Sequence, residues 1–259
     1  MRIVIVTQDE PFYLPAFLER VVQVRGKDIV GIVILKPFSK SLLAVARQMY
    51  DLYGPWDFLV YGLRFAWIKT MSALSRFLRL GGPWSVADVA RRYGIPIYRP
   101  KNINNPDFLA VLSDKIRPDL IVSVAASQVF KKKILALPKY GCVNVHTAPL
   151  PRYRGMLPTF WVLLHGEKET AVTVHYMTEK LDDGDIIRQE RVAILPDDTL
   201  DSLIRRTKRI GAEVLLQALE DIERGKVVRK PNDASQATYF SFPTREDARR
   251  FRALGRRFR

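Results

Sequence analysis

Asn144, His146 and Asp182 are the residues of this 259-residue chain whose types and surroundings could do chemistry. Asn144 and His146 close the run Cys142-Val143-Asn144-Val145-His146, which reads as a buried strand, and alternate residues of a strand point the same way. Asp182 sits in the loop Leu181-Asp182-Asp183-Gly184-Asp185. A carboxamide donor, an imidazole and a carboxylate brought together could hold a developing oxyanion and manage one proton. That chemistry suits attack of an amine on a carbonyl carbon. Asp183 and Asp185 read as turn formers, since Asp favours such turns. His175 reads as a strand side chain near the pocket, His165 as a helix-end residue complementing the dipole, and Cys142 as a small core residue.

These groups need elements to position them. Residues 2–7 and 28–36 are β-branched runs, and Leu14, Phe17, Leu18 and Val21 recur between them at helical spacing, which predicts a βαβ opening. The alternation continues with helices near 85–93 and 106–116, a short strand at 96–98, and strands at 119–124 and 142–146. Strands at 170–178 and 185–193 and a long amphipathic helix over 198–223 complete it. The predicted fold class is α/β: a Rossmann-like doubly wound, mostly parallel sheet with a helical insertion over 37–84. Open sheets of this kind bind ligands beyond the carboxyl ends of their strands, which is where Asn144 and His146 fall. The first βα turn, Thr7-Gln8-Asp9-Glu10-Pro11, lacks the glycines that let backbone approach a pyrophosphate, so NAD and FAD are not expected. A Gly-Lys-Ser/Thr phosphate loop is missing and the three histidines have no zinc-like spacing, so neither ATP nor a metal is expected.

The chain carries 42 Lys and Arg against 27 Asp and Glu, a net charge of +15, which points to an anionic partner. Seven arginines fall between Arg245 and Arg259, and 226–259 reads as a short, solvated basic tail. Within the insertion, Leu63, Trp67, Met71, Leu74 and Leu78 share one helical face, while Arg64, Lys69, Arg76 and Arg79 gather on the other. The apolar face is expected to pack on the domain or on a partner subunit; a membrane-surface contact through 58–80 is the second expectation. A single cysteine excludes an intrachain disulfide. The opening MRIVIVTQDE lacks the apolar stretch and cleavage site of a leader, so a reducing cytoplasm is the expected compartment.

At these residues the chain resembles the folate-dependent formyltransferases, whose fold is shared by glycinamide ribonucleotide formyltransferase, the amino-terminal domain of methionyl-tRNA formyltransferase and the sugar N-formyltransferases. The likeness covers roughly 85–195 and rests on RPDLIV, LPKYGCVNVHTAPLPRYRG, HGEKETAVTVHYM and LDDGDII, in the family's order and spacing. The resemblance implies a catalytic domain over 1–225 and direct formyl transfer from 10-formyltetrahydrofolate to a primary amine, with no covalent enzyme intermediate and no metal. It implies the catalytic set Asn144, His146 and Asp182. Asn144 and a protonated His146 would donate to the oxyanion; Asp182 would hold the His charge and, through water, help remove the amine proton. It also implies that the pterin of the donor lies against the loop Ser127-Gln128-Val129-Phe130, with the loop from Leu181 to Gly184 closing the other side. Ala148-Pro149 stands where the family commonly has Ser-Leu, which removes a hydroxyl near the site.

The expected acceptor is a small amine, first an amino sugar on a nucleotide or lipid carrier. The residues after the long helix are too few for the tRNA-gripping barrel of the methionyl-tRNA enzymes, and the phosphate loop of the glycinamide ribonucleotide enzymes is missing from Thr7 to Pro11. With water in place of the amine, the same residues would make a formyltetrahydrofolate hydrolase. The remaining alternatives are tRNA held by the basic tail and a non-catalytic basic surface-binding protein. A homo-oligomer is compatible with each of these readings.

Overall fold

The computed structural model describes residues 1–36, 41–78 and 82–259. β1 (Ile3–Gln8), α1 (Leu14–Arg25) and β2 (Ile29–Leu35) form the expected opening unit. A long helix α2 (Leu42–Leu78) follows, then α3 (Val86–Arg92), β3 (Ile97–Tyr98) and α4 (Pro106–Ala110). The helix expected over 106–116 continues past Ala110 as a wider π turn that ends where Arg117 takes φ 50°. β4 (Leu120–Val124), α5 (Lys132–Leu135), β5 (Cys142–His146), β6 (Arg154–Gly155) and α6 (Pro158–Leu164) come next. β7 (Glu169–Tyr176), β8 (Ile186–Ala193), α7 (Leu200–Glu223), β9 (Tyr239–Phe240) and α8 (Arg245–Ala253) complete the order.

The seven-stranded sheet runs β3-β2-β1-β4-β5-β7-β8. Pairings from β3 through β5 are parallel, and β7 and β8 join antiparallel. Helices on both faces explain why its central strands are apolar throughout: Ile3 and Ile5 enter one core layer, Val4 and Val6 the other. Strand order reverses between β1 and β4, which makes their carboxyl ends the topological switch point.

Glu10, in the turn after β1, takes the place a glycine-rich loop would hold. Its carboxylate accepts from the backbone N–H groups of Phe12, Tyr13 and Leu14 at 2.6, 2.9 and 3.2 Å, satisfying donors that the start of α1 leaves unpaired. Replacing a capping acceptor costs about 1 kcal/mol. Glu10→Ala is therefore expected to lower the unfolding free energy by that amount, read as a lower urea midpoint with the denaturant slope unchanged.

Two sequence expectations are corrected here. α2 is broken at Gly54, where φ is 68°, with Pro55 restarting the helix. Its inward residues are Leu52, Tyr61, Ile68 and Ser72, and Ser72 donates to Asp88 of α3 at 2.5 Å. The stripe expected to pack on the domain instead faces out: Leu63 is 65% exposed and Trp67 61%. Arg64 and Lys69, expected on the solvent side, turn inward to Asp201 and Asp9 at 3.4 and 3.5 Å. Arg79 and the Arg76 side chain lie outside the described residues. Helical periodicity tells which residues share a face; the acids that α2 meets on α7 and in the turn after β1 help decide which face turns in.

The basic segment is also not a solvated tail. Thr244 and Asp247 cap α8 reciprocally, and Phe251 and Phe258 are buried, stacking on Phe160 and on each other. The backbone carbonyls of Arg257 and Phe258 accept from Leu200 and Asp201 at the start of α7, and Phe258 O accepts from the Tyr61 hydroxyl. Among the described residues, no helix is long and apolar enough to cross a membrane.

Candidate functional site

A cavity of about 860 Å³ opens at the switch point, lined by Gln8 from β1, Ser123 of β4, Ala125 to Phe130 after it, and Asn144 to Thr147 at the end of β5. Residues 181–182 and the inner side of α2 close it, the latter through Met49, Phe58, Tyr61 and Phe65. β4, β5 and β7 place the polar groups: Ser123 pairs in register with Asn144, and Asn144 with His175.

Asp182 is the hub. Its Oδ1 accepts from Asn144 Nδ2 at 3.3 Å and lies 3.5 Å from His175 Nε2. Its Oδ2 accepts from the Gly155 N–H at 2.9 Å and lies 3.6 Å from His146 Nδ1. His146 Nε2 sits 2.8 Å from the Tyr153 carbonyl, which can only accept, so Nε2 carries the hydrogen. By the same reasoning His175 Nδ1 donates to Tyr176 O at 2.7 Å, which leaves Nε2 to accept from Asn144 Nδ2 at 3.3 Å.

Burial pushes the His146 imidazolium down, and the Asp182 carboxylate pulls it back without overcoming that loss of solvent. The resting His146 is thus neutral, which differs from the protonated donor expected from the sequence. Burial also works to raise the Asp182 carboxyl. In the acid range where Asp182 titrates, the positive charge taken up by His146, the nearby His175 ring and the Gly155 N–H outweigh it and hold Asp182 well below the usual carboxylate range.

The backbone is strained around this cluster. Ala125, Leu157 and Asp182 on the cavity wall take φ of 52°, 49° and 49°, and Tyr153 behind His146 takes 61°. Non-glycine residues in that region cost of order 1 kcal/mol each and persist where surrounding contacts hold them. Gly155, at φ 101°, has no alternative: an added Cβ would meet the Phe240 carbonyl at 2.2 Å.

Of the residues expected on the donor side, Ser127, Gln128, Val129, Phe130 and Leu181 line the cavity. Ser127 Oγ is committed to the Lys36 carbonyl at 2.7 Å, and Gln128 bridges Ile103 N and Lys101 O at 2.7 and 2.9 Å. These bonds brace the loop rather than reach into the cavity. Gly184 does not line it. It is pressed against β7, where a Cβ would lie 2.0 Å from the Tyr176 carbonyl. Gly184→Ala is expected to cost about 3 kcal/mol through forced overpacking, read as a lower melting temperature.

Asp183, read as a turn former, pairs with Arg154 at 2.5 Å. Asn232 was not anticipated: its Nδ2 donates to the carbonyls of Asp182 and Gly184 at 2.8 and 3.1 Å, clamping the loop that carries the acid. Lys208 of α7 was missed too. It lines the cavity, and burial pushes its ammonium down while the Glu10 carboxylate pulls it up. In the sequence it is one cation on an amphipathic helix, with nothing to mark it. Cys142 is buried, its thiol pushed up to about 12 by burial, in keeping with a core role. Among the described residues no three His, Cys, Asp or Glu side chains cluster as a metal site.

Comparison with known proteins gives the family and the fold. A methionyl-tRNA formyltransferase of Syntrophus aciditrophicus is 43% identical over 158 residues, 61% of this chain and 50% of that protein. The chain spans about half the length of the curated relatives it matches. A sugar N-formyltransferase from Shewanella shares the fold at TM-score 0.62 and 17% identity, covering 98% of this chain and 88% of that one. An N-formyltransferase from Helicobacter canadensis, solved in complex with folinic acid and dTDP-3-aminofucose, does so at TM-score 0.60 and 14% identity, covering 98% and 80%. The pattern of the family described as Formyl transferase matches residues 70–219, more than half of the chain and all of Asn144, His146 and Asp182, and the chain belongs to that family.

Proposed function

We propose that the protein transfers a formyl group from 10-formyltetrahydrofolate to the primary amine of a small acceptor, an amino sugar on a nucleotide or lipid carrier. The observation that carries this reading is the meeting of Asn144, His146 and Asp182 around one carboxylate at the mouth of the switch-point cavity. The braced loop at Ser127–Phe130 supports a flat donor on one side, and the relative that was solved with folinic acid supports its chemical class.

As the amine nitrogen attacks the formyl carbon, the carbonyl oxygen gains negative charge, and the Asn144 amide donates to it by releasing one of its two 3.3 Å bonds, to Asp182 or to His175. His146 Nδ1, unprotonated at rest, accepts the amine proton, and Asp182 stabilises the imidazolium that forms. Collapse of the adduct then breaks the bond between the formyl carbon and N10 of the donor, and the imidazolium returns the proton to N10 as tetrahydrofolate leaves. Gln8 lines the same cavity, and its Oε1 is buried without a partner, an acceptor suited to an amine or hydroxyl of the substrate. Lys208 supplies a cation for an anionic carrier.

A second reading, methionyl-tRNA as acceptor, is favoured by the names of the relatives sharing about two fifths of the matched residues. One experiment separates these readings. Formation of deformylated folate is followed with no amine, then with aminated nucleotide sugars, lipid-linked amino sugars and methionyl-tRNA in turn. Turnover confined to a sugar amine supports the proposal. Turnover confined to methionyl-tRNA replaces it with the second reading, and turnover with water alone makes the protein a hydrolase.

A further inference from the structure

We infer that the outer face of α2 seats this protein on an anionic lipid surface. Trp56, Leu59, Leu63, Trp67, Leu74 and Phe77 recur at steps of three, four and seven residues, which keeps them on one face, and all are exposed, Phe77 by 82%. The stripe covers 22 residues, ~33 Å of helix at 1.5 Å per residue. Contiguous apolar surface of that extent marks an interaction site. Scattered exposed apolar residues would not.

Charge selects the partner. Residues 58–78 contain no Asp or Glu, and Asp57, just before them, is neutralised by Arg259 at 2.5 Å. The Arg259 guanidinium also lies 6.0 Å from the Trp56 ring centroid, and Arg252 donates to the Leu52 carbonyl. The C-terminal segment, with its seven arginines, is therefore packed along the same helix, and Arg249, Arg250 and Arg257 are exposed. Tryptophan, leucine and phenylalanine on one helix face, with exposed arginines on the segment that packs against the first half of the same helix, match the two layers of an anionic bilayer face, the acyl boundary and the phosphate headgroups. Tryptophan favours that boundary for its amphipathic ring.

A second copy of the chain is the poorer occupant, because apposing these faces would bring together two proteins of net charge +15. α2 lies on the surface rather than through it, since it is not apolar enough to cross. Its opposite side walls the cavity through Phe58, Tyr61 and Phe65. Docking thus places the reaction chamber about one helix diameter, ~10 Å, from the lipid. The inference does not depend on the formyl-transfer reading.

The test is co-sedimentation of the full chain with phosphatidylglycerol/phosphatidylcholine vesicles and with phosphatidylcholine alone, at low and high salt. The protein is expected to pellet with the anionic vesicles and less so at high salt. The Leu63→Glu, Trp67→Glu double variant is expected to lower partitioning at least ~10-fold at an unchanged melting temperature, because both positions are solvent-exposed. Arg249→Glu with Arg250→Glu is expected to weaken binding to anionic vesicles alone. Absence of pelleting above the lipid-free control, or pelleting that the apolar double variant leaves intact, overturns the inference. So does a stable dimer by light scattering that the same variant splits, which would assign the face to a second copy.

Discussion

Asn144→Ala lowers turnover of the formyl donor by ~100- to 1,000-fold, the usual loss when one oxyanion donor is removed. The fall is expected in kcat, with the KM for the donor little changed, because the braced loop at Ser127 and Gln128, against which we propose the donor binds, is untouched. Stability should drop by only about 1 kcal/mol, since Asn144 is half-buried and its partners, Asp182 and His175, keep other contacts. Steady-state rates beside a thermal melt check this. A variant with wild-type kcat would remove Asn144 from the reacting centre.

Asp182→Asn has the larger effect on activity, ~1,000- to 10,000-fold in kcat, by analogy with other buried acids that orient a catalytic imidazole. It also changes two pH dependences. The folded state holds the Asp182 carboxyl below its ordinary value, so its contribution to stability is present above about pH 4 and is lost as pH falls towards the folded value. The variant should therefore lose less stability than the parent between about pH 4 and pH 2, read from urea midpoints across that range. His146 is held below 6.5 by burial, which sets the acid limb of turnover below that pH. Asp182 is the group pulling His146 upward, so residual activity in the variant should fall off at a still lower pH. Activity that instead falls as pH rises through that range would show that His146 works in its charged form.

Much of the sheet was legible because parallel strands covered on both faces read as short β-branched runs, as at Ile3–Gln8 and Leu120–Val124. The site was legible where one strand carries its groups: Asn144 and His146 are two residues apart, so alternation alone puts them on one side. His175 reaches the cluster only because β7 pairs antiparallel with β5 in a register that sets it opposite Asn144, and register is a property of two strands. Asn232 supports the Asp182 loop from fifty residues away, a contact with no local signature. The outward stripe of α2 and the docked C-terminal segment share a different cause. The stripe was found, but its direction depends on Asp9 and Asp201, which lie on other elements. The segment was judged by its arginines, although the Thr244 to Asp247 capping box and Phe251 announce a packed helix.

The clasp that Arg252, Phe258 and the start of α7 place on α2 has a consequence for the order in which the protein can be finished. Ribosomes add about 5–20 residues per second, so roughly 10–40 s of synthesis separate Leu52 from Phe258. Throughout that interval the parallel strands can assemble, but α2 has neither the Tyr61 hydroxyl's acceptor nor the aromatic stack behind Phe258 to hold it. A nascent chain therefore carries, for most of its synthesis, an apolar helix held only by contacts such as those of Ser72 with Asp88 and Lys69 with Asp9. That helix is the natural ground for holdase capture, and ribosome-bound chains halted before Arg252 should be more readily cleaved by protease within 42–78 than chains released at full length.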